Sequence, residues 1–135
     1  IKDQNLEKIP PYEDYVYSDP EFSWELPIGI TAIDFNNNSF QTHQNSLFVA
    51  DSNNGNIYVL KLNQDRNGFE FKSKHLKDLI VNIDPENTYG NFHESMTEIL
   101  FAKNIGVITD MKFGPDGNLY VVSIMDGTIY RISLI

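Results

Sequence analysis

Short alternating runs of apolar and polar residues, separated by turn-forming clusters, organise most of the chain. Residues 30–35 (ITAIDF), 47–50 (LFVA) and 57–62 (IYVLKL) are rich in β-branched and aromatic side chains, as strands require. Asn53-Asn54-Gly55-Asn56 lies between the second and third runs, and Asn and Gly tolerate the positive φ of a tight hairpin. The pattern then recurs. Residues 47–62 read LFVADSNNGNIYVLKL and residues 119–134 read LYVVSIMDGTIYRISL, identical at six of sixteen positions. Upstream of each copy lies a second matched block, ITAIDF at 30–35 and ITDMKF at 108–113. Two linked blocks in the same order mark an internal repeat.

Each copy predicts a short antiparallel meander. Gly114-Pro115-Asp116-Gly117 turns between the first two strands of the second copy, and Asp126-Gly127 between the next two. In the first copy the equivalent first turn is six residues longer. The alternating segment 69–74 (FEFKSK) is expected as the fourth strand of the first copy. Repeated four-stranded antiparallel meanders are the blades of a β-propeller, so the expected class is all-β. The expected organisation is an extended acidic, Pro- and aromatic-rich segment at 1–29, a first blade at 30–74, a connection at 75–107 and a second, incomplete blade at 108–135. Within the connection, Ser95-Met96-Thr97-Glu98 has the form of a capping box and predicts a helical turn. Two blades alone leave apolar faces uncovered. The expectation is therefore part of a larger propeller, completed by more of the same chain or by a partner protein.

Composition narrows the function. The 135 residues carry 19 acidic side chains against 10 Lys and Arg, for a net charge of -9. Polyanions reward clustered cations, so nucleic acid and anionic membrane surfaces are poor partners. No apolar run is long enough for a transmembrane helix. The chain has no cysteine, which excludes disulfides, thiolate metal sites and a Cys nucleophile. Asp51 to Asn56 offers oxygen atoms at alternate positions like the start of a Ca²⁺ loop, but without the closing Glu. It also reads as an Asn/Gly hairpin turn. His43, His75 and His93 are too dispersed to suggest a metal or nucleophile triad, and surface positions are expected for them. Asn37-Asn38-Ser39 is an N-glycosylation sequon in the enlarged turn, which points toward an extracellular or cell-surface protein.

The ordered elements SWELPIGITAIDF, NSLFVADSNNGNIYVLKLN and GVITDMKFGPDGNLYVVSIMDGTIYRI resemble the last blades of the glucose/sorbosone dehydrogenase family. The likeness spans a little over half the chain. Its most specific part is Trp24, Pro27 and Gly29 combined with the ADSNNG loop; GPDGNLYV occurs in other propellers too. The resemblance implies a six-bladed propeller that binds pyrroloquinoline quinone (PQQ) and Ca²⁺ and oxidises a sugar. It implies cofactor contacts at Trp24, Asn53, Thr109 and Asp110. The family's histidine base lies in an earlier blade, so no catalytic residue is expected in these residues. At positions where the family places cations against the quinone carboxylates, this chain has Val107, Thr109 and Asn53, and Leu26 replaces a Thr. An alternative is a non-catalytic propeller of the same lineage that serves as a binding or complex-forming module.

Overall fold

The computed structural model describes residues 18–36, 39–81 and 92–134. Among these residues the fold is mostly β, and the strands form three sheets. The first is a parallel pair, β1 (Ser23–Trp24) with β5 (Ile80–Val81). The second, here sheet 1, is the four-stranded antiparallel order β2 (Ile30–Asn36), β3 (Ser46–Asp51), β4 (Asn56–Lys61) and β6 (Leu100–Ala102). Sheet 2 is a meander of β7 (Ile108–Phe113), β8 (Leu119–Ser123) and β9 (Thr128–Ile132). One α-helix, α1 (Phe92–Ile99), leads directly into β6. Neither sheet closes on itself.

The repeat read from the sequence is present to the level of register. Phe35 faces Leu47 as Phe113 faces Leu119, and Leu47 faces Leu60 as Leu119 faces Ile132. Even the irregularity repeats: the first strand of each sheet slips, between Ile30 and Ala32 in sheet 1 and between Ile108 and Asp110 in sheet 2. Each hairpin turn passes through a glycine with positive φ, Gly55 at 65° and Gly127 at 59°, a conformation that a Cβ disfavours. Beyond the hairpins, Ser52 N–H donates to Gly29 C=O and Ile124 N–H donates to Val107 C=O, both at equivalent places.

Because strand side chains alternate, each sheet has two faces. On sheet 1, Val49, Tyr58 and Leu60 point to one side, hereafter face A, and Phe48, Ala50 and Ile57 point to the other, face B. Face A packs on Trp24, Leu76, Val81, Met96 and Ile99. Face B receives sheet 2, whose Ile108, Met111, Leu119 and Val121 join Phe48, Ala50 and Ile57 in one core. Register equivalence makes the sheet 2 residues face A of their own sheet. The sheets therefore stack head to tail, A onto B, and not face to like face. Their first strands, β2 and β7, run side by side in the same direction. Thr31 Oγ1 donates to Ile108 C=O at 2.7 Å, and Phe113 N–H donates to Asp34 Oδ2 at 2.7 Å.

Three expectations change. Residues 69–74 are not the fourth strand, because their pairing stops at one isolated bridge, Leu62 with Phe69, and a hydrogen bond from Glu70 N–H to Lys61 C=O at the end of β4. Phe69 and Phe71 turn inward onto Phe22, at ring separations of 6.1 and 5.4 Å, and β6 takes the vacated edge. The helical turn expected at 95–98 is present as part of α1, but the apparent capping box lies inside the helix and not at its start. Glu98 instead caps a different segment, accepting from Lys72 N–H and Ser73 N–H. His43 is not a solvated loop histidine. It ends a 3₁₀ turn (Gln41–His43), and its ring lies against Phe48 and Phe101, where burial lowers its pKa. His75 lies in the 3₁₀ turn Lys74–Leu76 and His93 within α1.

Candidate functional site

The loop 51–56 that resembled a Ca²⁺ site is built around one buried carboxylate. Asp51 ends β3 with no exposed surface. Its Oδ1 accepts from Gly29 N–H at 3.1 Å, Asn53 N–H at 2.9 Å and Asn54 N–H at 3.4 Å. Its Oδ2 accepts from Asn54 Nδ2 at 2.6 Å and from Tyr58 Oη at 3.3 Å. Five donors converge on two oxygens. A cation needs acceptors facing inward, so a carboxylate ringed by N–H and O–H donors is a turn anchor and does not fit Ca²⁺. Tyr58, buried beside it, has its pKa pushed up to about 12, chiefly by burial, with Asp51 adding to the rise. Among the described residues no group of three His, Asp or Glu side chains is placed to hold a metal ion.

The equivalent turn of sheet 2 reaches the same end with exchanged residues. Ser123 stands where Asp51 does, and Asp126 where Asn54 does. Here the carboxylate comes from the turn itself: Asp126 Oδ2 accepts from Ser123 Oγ at 3.2 Å and from Tyr130 Oη at 3.0 Å. In both sheets the tyrosine of the third strand donates to the turn carboxylate. This is a compensated swap of acid and neutral partner.

The four residues implied by the resemblance are dispersed among different settings. Trp24 is buried on face A of sheet 1, with Phe22 at 5.0 Å and Tyr58 at 5.4 Å. Its Nε1 is buried without a hydrogen-bond partner. Asn53 lies exposed on the Asp51 turn, its N–H held by that carboxylate. Thr109 and Asp110 are exposed on β7, the first strand of sheet 2, and Asp110 Oδ1 accepts from Met111 N–H at 2.8 Å. No hydrogen bond or ring contact joins any two of Trp24, Thr109 and Asp110. The donor set does not fit PQQ: its three carboxylates require cations, and these positions offer neutral or acidic groups. The indole ring that would lie over the quinone already has its surface against Phe22 and Tyr58.

Elsewhere, a cleft of about 800 Å³ is lined by Thr42, His43, Lys61, Phe71, Glu98 and their neighbours. Of its charged groups, Lys61 pairs with Glu70 at 3.5 Å and Glu98 accepts from two backbone N–H groups. Sequence reasoning missed Phe40, which the enlarged first turn places in the core between the sheets. The signal was local: Asn36 Oδ1 accepts from Phe40 N–H, and Asn36 Nδ2 donates to the carbonyls of Phe40 and His43. An Asn at a strand end often folds such a turn back on itself. The sequon asparagine and its successor, 37 and 38, lie outside the described residues. No protein-family profile, curated protein or solved structure matches the chain.

Proposed function

We propose that this chain is a non-catalytic β-sheet repeat module, a run of propeller-type blades that works by docking protein against its sheet faces. The observation that carries the reading is the directional stacking of two register-identical sheets. Face B of sheet 1 holds face A of sheet 2, while face A of sheet 1 is covered by Trp24, Leu76, Val81, Met96 and Ile99, so among the described residues face B of sheet 2 is the face left open whose counterpart is occupied. Such an arrangement extends by adding sheets, as propeller blades and other repeat proteins do. Asp51, Asp126, Glu98 and Trp24 serve turns and cores, which is the expected allocation in a binding scaffold. The sequon at 37–39 supports work outside the cell.

The sugar dehydrogenase reading rests on sequence resemblance alone, and cofactor titration separates the two. PQQ added with Ca²⁺ and followed by calorimetry or quinone absorbance is expected to show no binding tighter than about 1 µM, roughly 8 kcal/mol. Tighter binding, or sugar-dependent reduction of a dye by the loaded protein, overturns the module reading and restores a quinoprotein.

A further inference from the structure

We infer that face B of sheet 2 is a docking surface for a second copy of this chain, whose β2 strand is the occupant. The inference rests on the module reading above and deepens it by naming the partner. Both halves of the interface are visible in one molecule because the repeat lets each open residue be compared with its occupied equivalent.

The first half is the incoming strand. Ile30 and Ile33 on β2 are 52% and 57% exposed, whereas their equivalents on β7, Ile108 and Met111, are 0% and 2% exposed under sheet 1. Phe35 is exposed too, while its equivalent Phe113 packs into the core between the sheets. The side chains that bury β7 against a neighbouring sheet are thus repeated on β2 and lie open, whereas Leu47 and Val49, the equivalents of Leu119 and Val121, pack within the chain's own face A core, so β2 alone is offered to the partner.

The second half is the receiving face. Ile57, Ala50 and Phe48 of sheet 1 hold sheet 2; their equivalents are Ile129, Val122 and Tyr120. Ile129 is largely exposed, and Ile124 and Met125 extend the apolar surface at the adjoining turn. The strand-to-strand bond also has a counterpart. Thr31 donates its hydroxyl across to Ile108 C=O. Thr109 is the same residue at the same position of β7, exposed, and the equivalent acceptor is Ile30 C=O of the incoming copy. The other cross-strand bond is not repeated, since Lys112 stands where Asp34 accepts from Phe113 N–H. Asp110 in place of Ala32 also makes this face more polar than its counterpart. The contact between copies is therefore weaker than the one inside the chain. It is head to tail, so it builds rings or ladders and not a symmetric pair.

The absence of cysteine makes a clean test. Ile30→Cys and Thr109→Cys are introduced together, and the protein is oxidised at high concentration. The expected product is a ladder of covalent dimers, trimers and larger species, while either single substitution stops at dimers. Sedimentation of the unmodified chain is expected to show reversible association, weakened at least tenfold by Ile129→Asp, an exposed position whose change leaves the circular dichroism unaltered. A chain that stays monomeric at every concentration overturns the inference. So does association that persists in Ile129→Asp, or double-variant cross-linking that stops at dimers, because each places the contact elsewhere. None of these outcomes involves PQQ, so they are distinguishable from failure of the module reading.

Discussion

Sheet 1 and sheet 2 share strand register, bulge position and hairpin turn, yet equivalent residues have opposite fates. Ile57 and Tyr58 have no exposed surface, while Ile129 and Tyr130, in the same places, are 68% and 39% exposed. The backbone is not the cause. Sheet 1 has a fourth strand at its edge and partners on both faces; sheet 2, among the described residues, has a partner on face A alone and no strand beyond β9. A repeated pattern thus specifies a sheet and its two potential faces, but burial depends on what lies next to it. The energetic weight of a residue follows the neighbour and not the motif.

The largest expected effect tests that difference directly. Ile57→Ala removes side-chain atoms from the middle of a filled core and should destabilise the protein by about 3 kcal/mol, because large-to-small changes leave a cavity. Ile129→Ala should cost about 0.5 kcal/mol or less in dilute solution, as exposed positions do. Urea unfolding of the two variants measures both. Equal costs would mean that face B of sheet 2 is already covered in the isolated chain.

Next come the two turn carboxylates. Asp51→Ala leaves the buried Tyr58 hydroxyl and several part-buried N–H donors without their acceptor and should cost about 2–3 kcal/mol. Asp126→Ala, at an exposed turn, should cost well under half as much. The sharper version imitates the swap: Asp51→Ser combined with Asn54→Asp recreates the sheet 2 arrangement in sheet 1. Recovery of part of the lost stability, measured against Asp51→Ser alone, would show that the two solutions are interchangeable. No recovery would show that burial makes sheet 1 intolerant of a carboxylate on the turn.

The smallest effect is confined to alkaline pH. Tyr58 has its pKa raised from 10 to about 12. The folded state therefore holds that proton more tightly than the unfolded state. Its contribution is fully present below pH 10 and is lost as the pH rises toward 12, so stability falls across that window. The urea midpoint should drop there, and tyrosinate absorbance should show one late-titrating group that Tyr58→Phe removes. Tyr130 is also raised, mainly by its bond to Asp126, but it is solvent-exposed and its change should leave the midpoint almost unmoved.

Much of the site was legible before any coordinates. The Asn/Gly cluster at 53–56 named a hairpin, while Asp51 at its start read as the opening of a Ca²⁺-like loop and not as the anchor it is. Its burial was not readable, since that required Tyr58 and Gly29 to meet it from elsewhere. Residues 69–74 show the converse. Their alternation has a strand's period, but Phe69 and Phe71 found a better site against Phe22, and edge pairing gave way to aromatic burial.

Sequence alone determined the β class, the repeat, the hairpin turns and their register, because these depend on periods of two, on glycine at positive φ and on neighbours within about twenty residues. Tertiary structure alone decided that β6 completes sheet 1, that Phe40 enters the core and that the sheets stack A onto B. Those outcomes depend on which of several apolar surfaces meet across long stretches of chain. A pattern of hydrophobic residues states that a surface must be buried, and only the fold selects the surface that buries it.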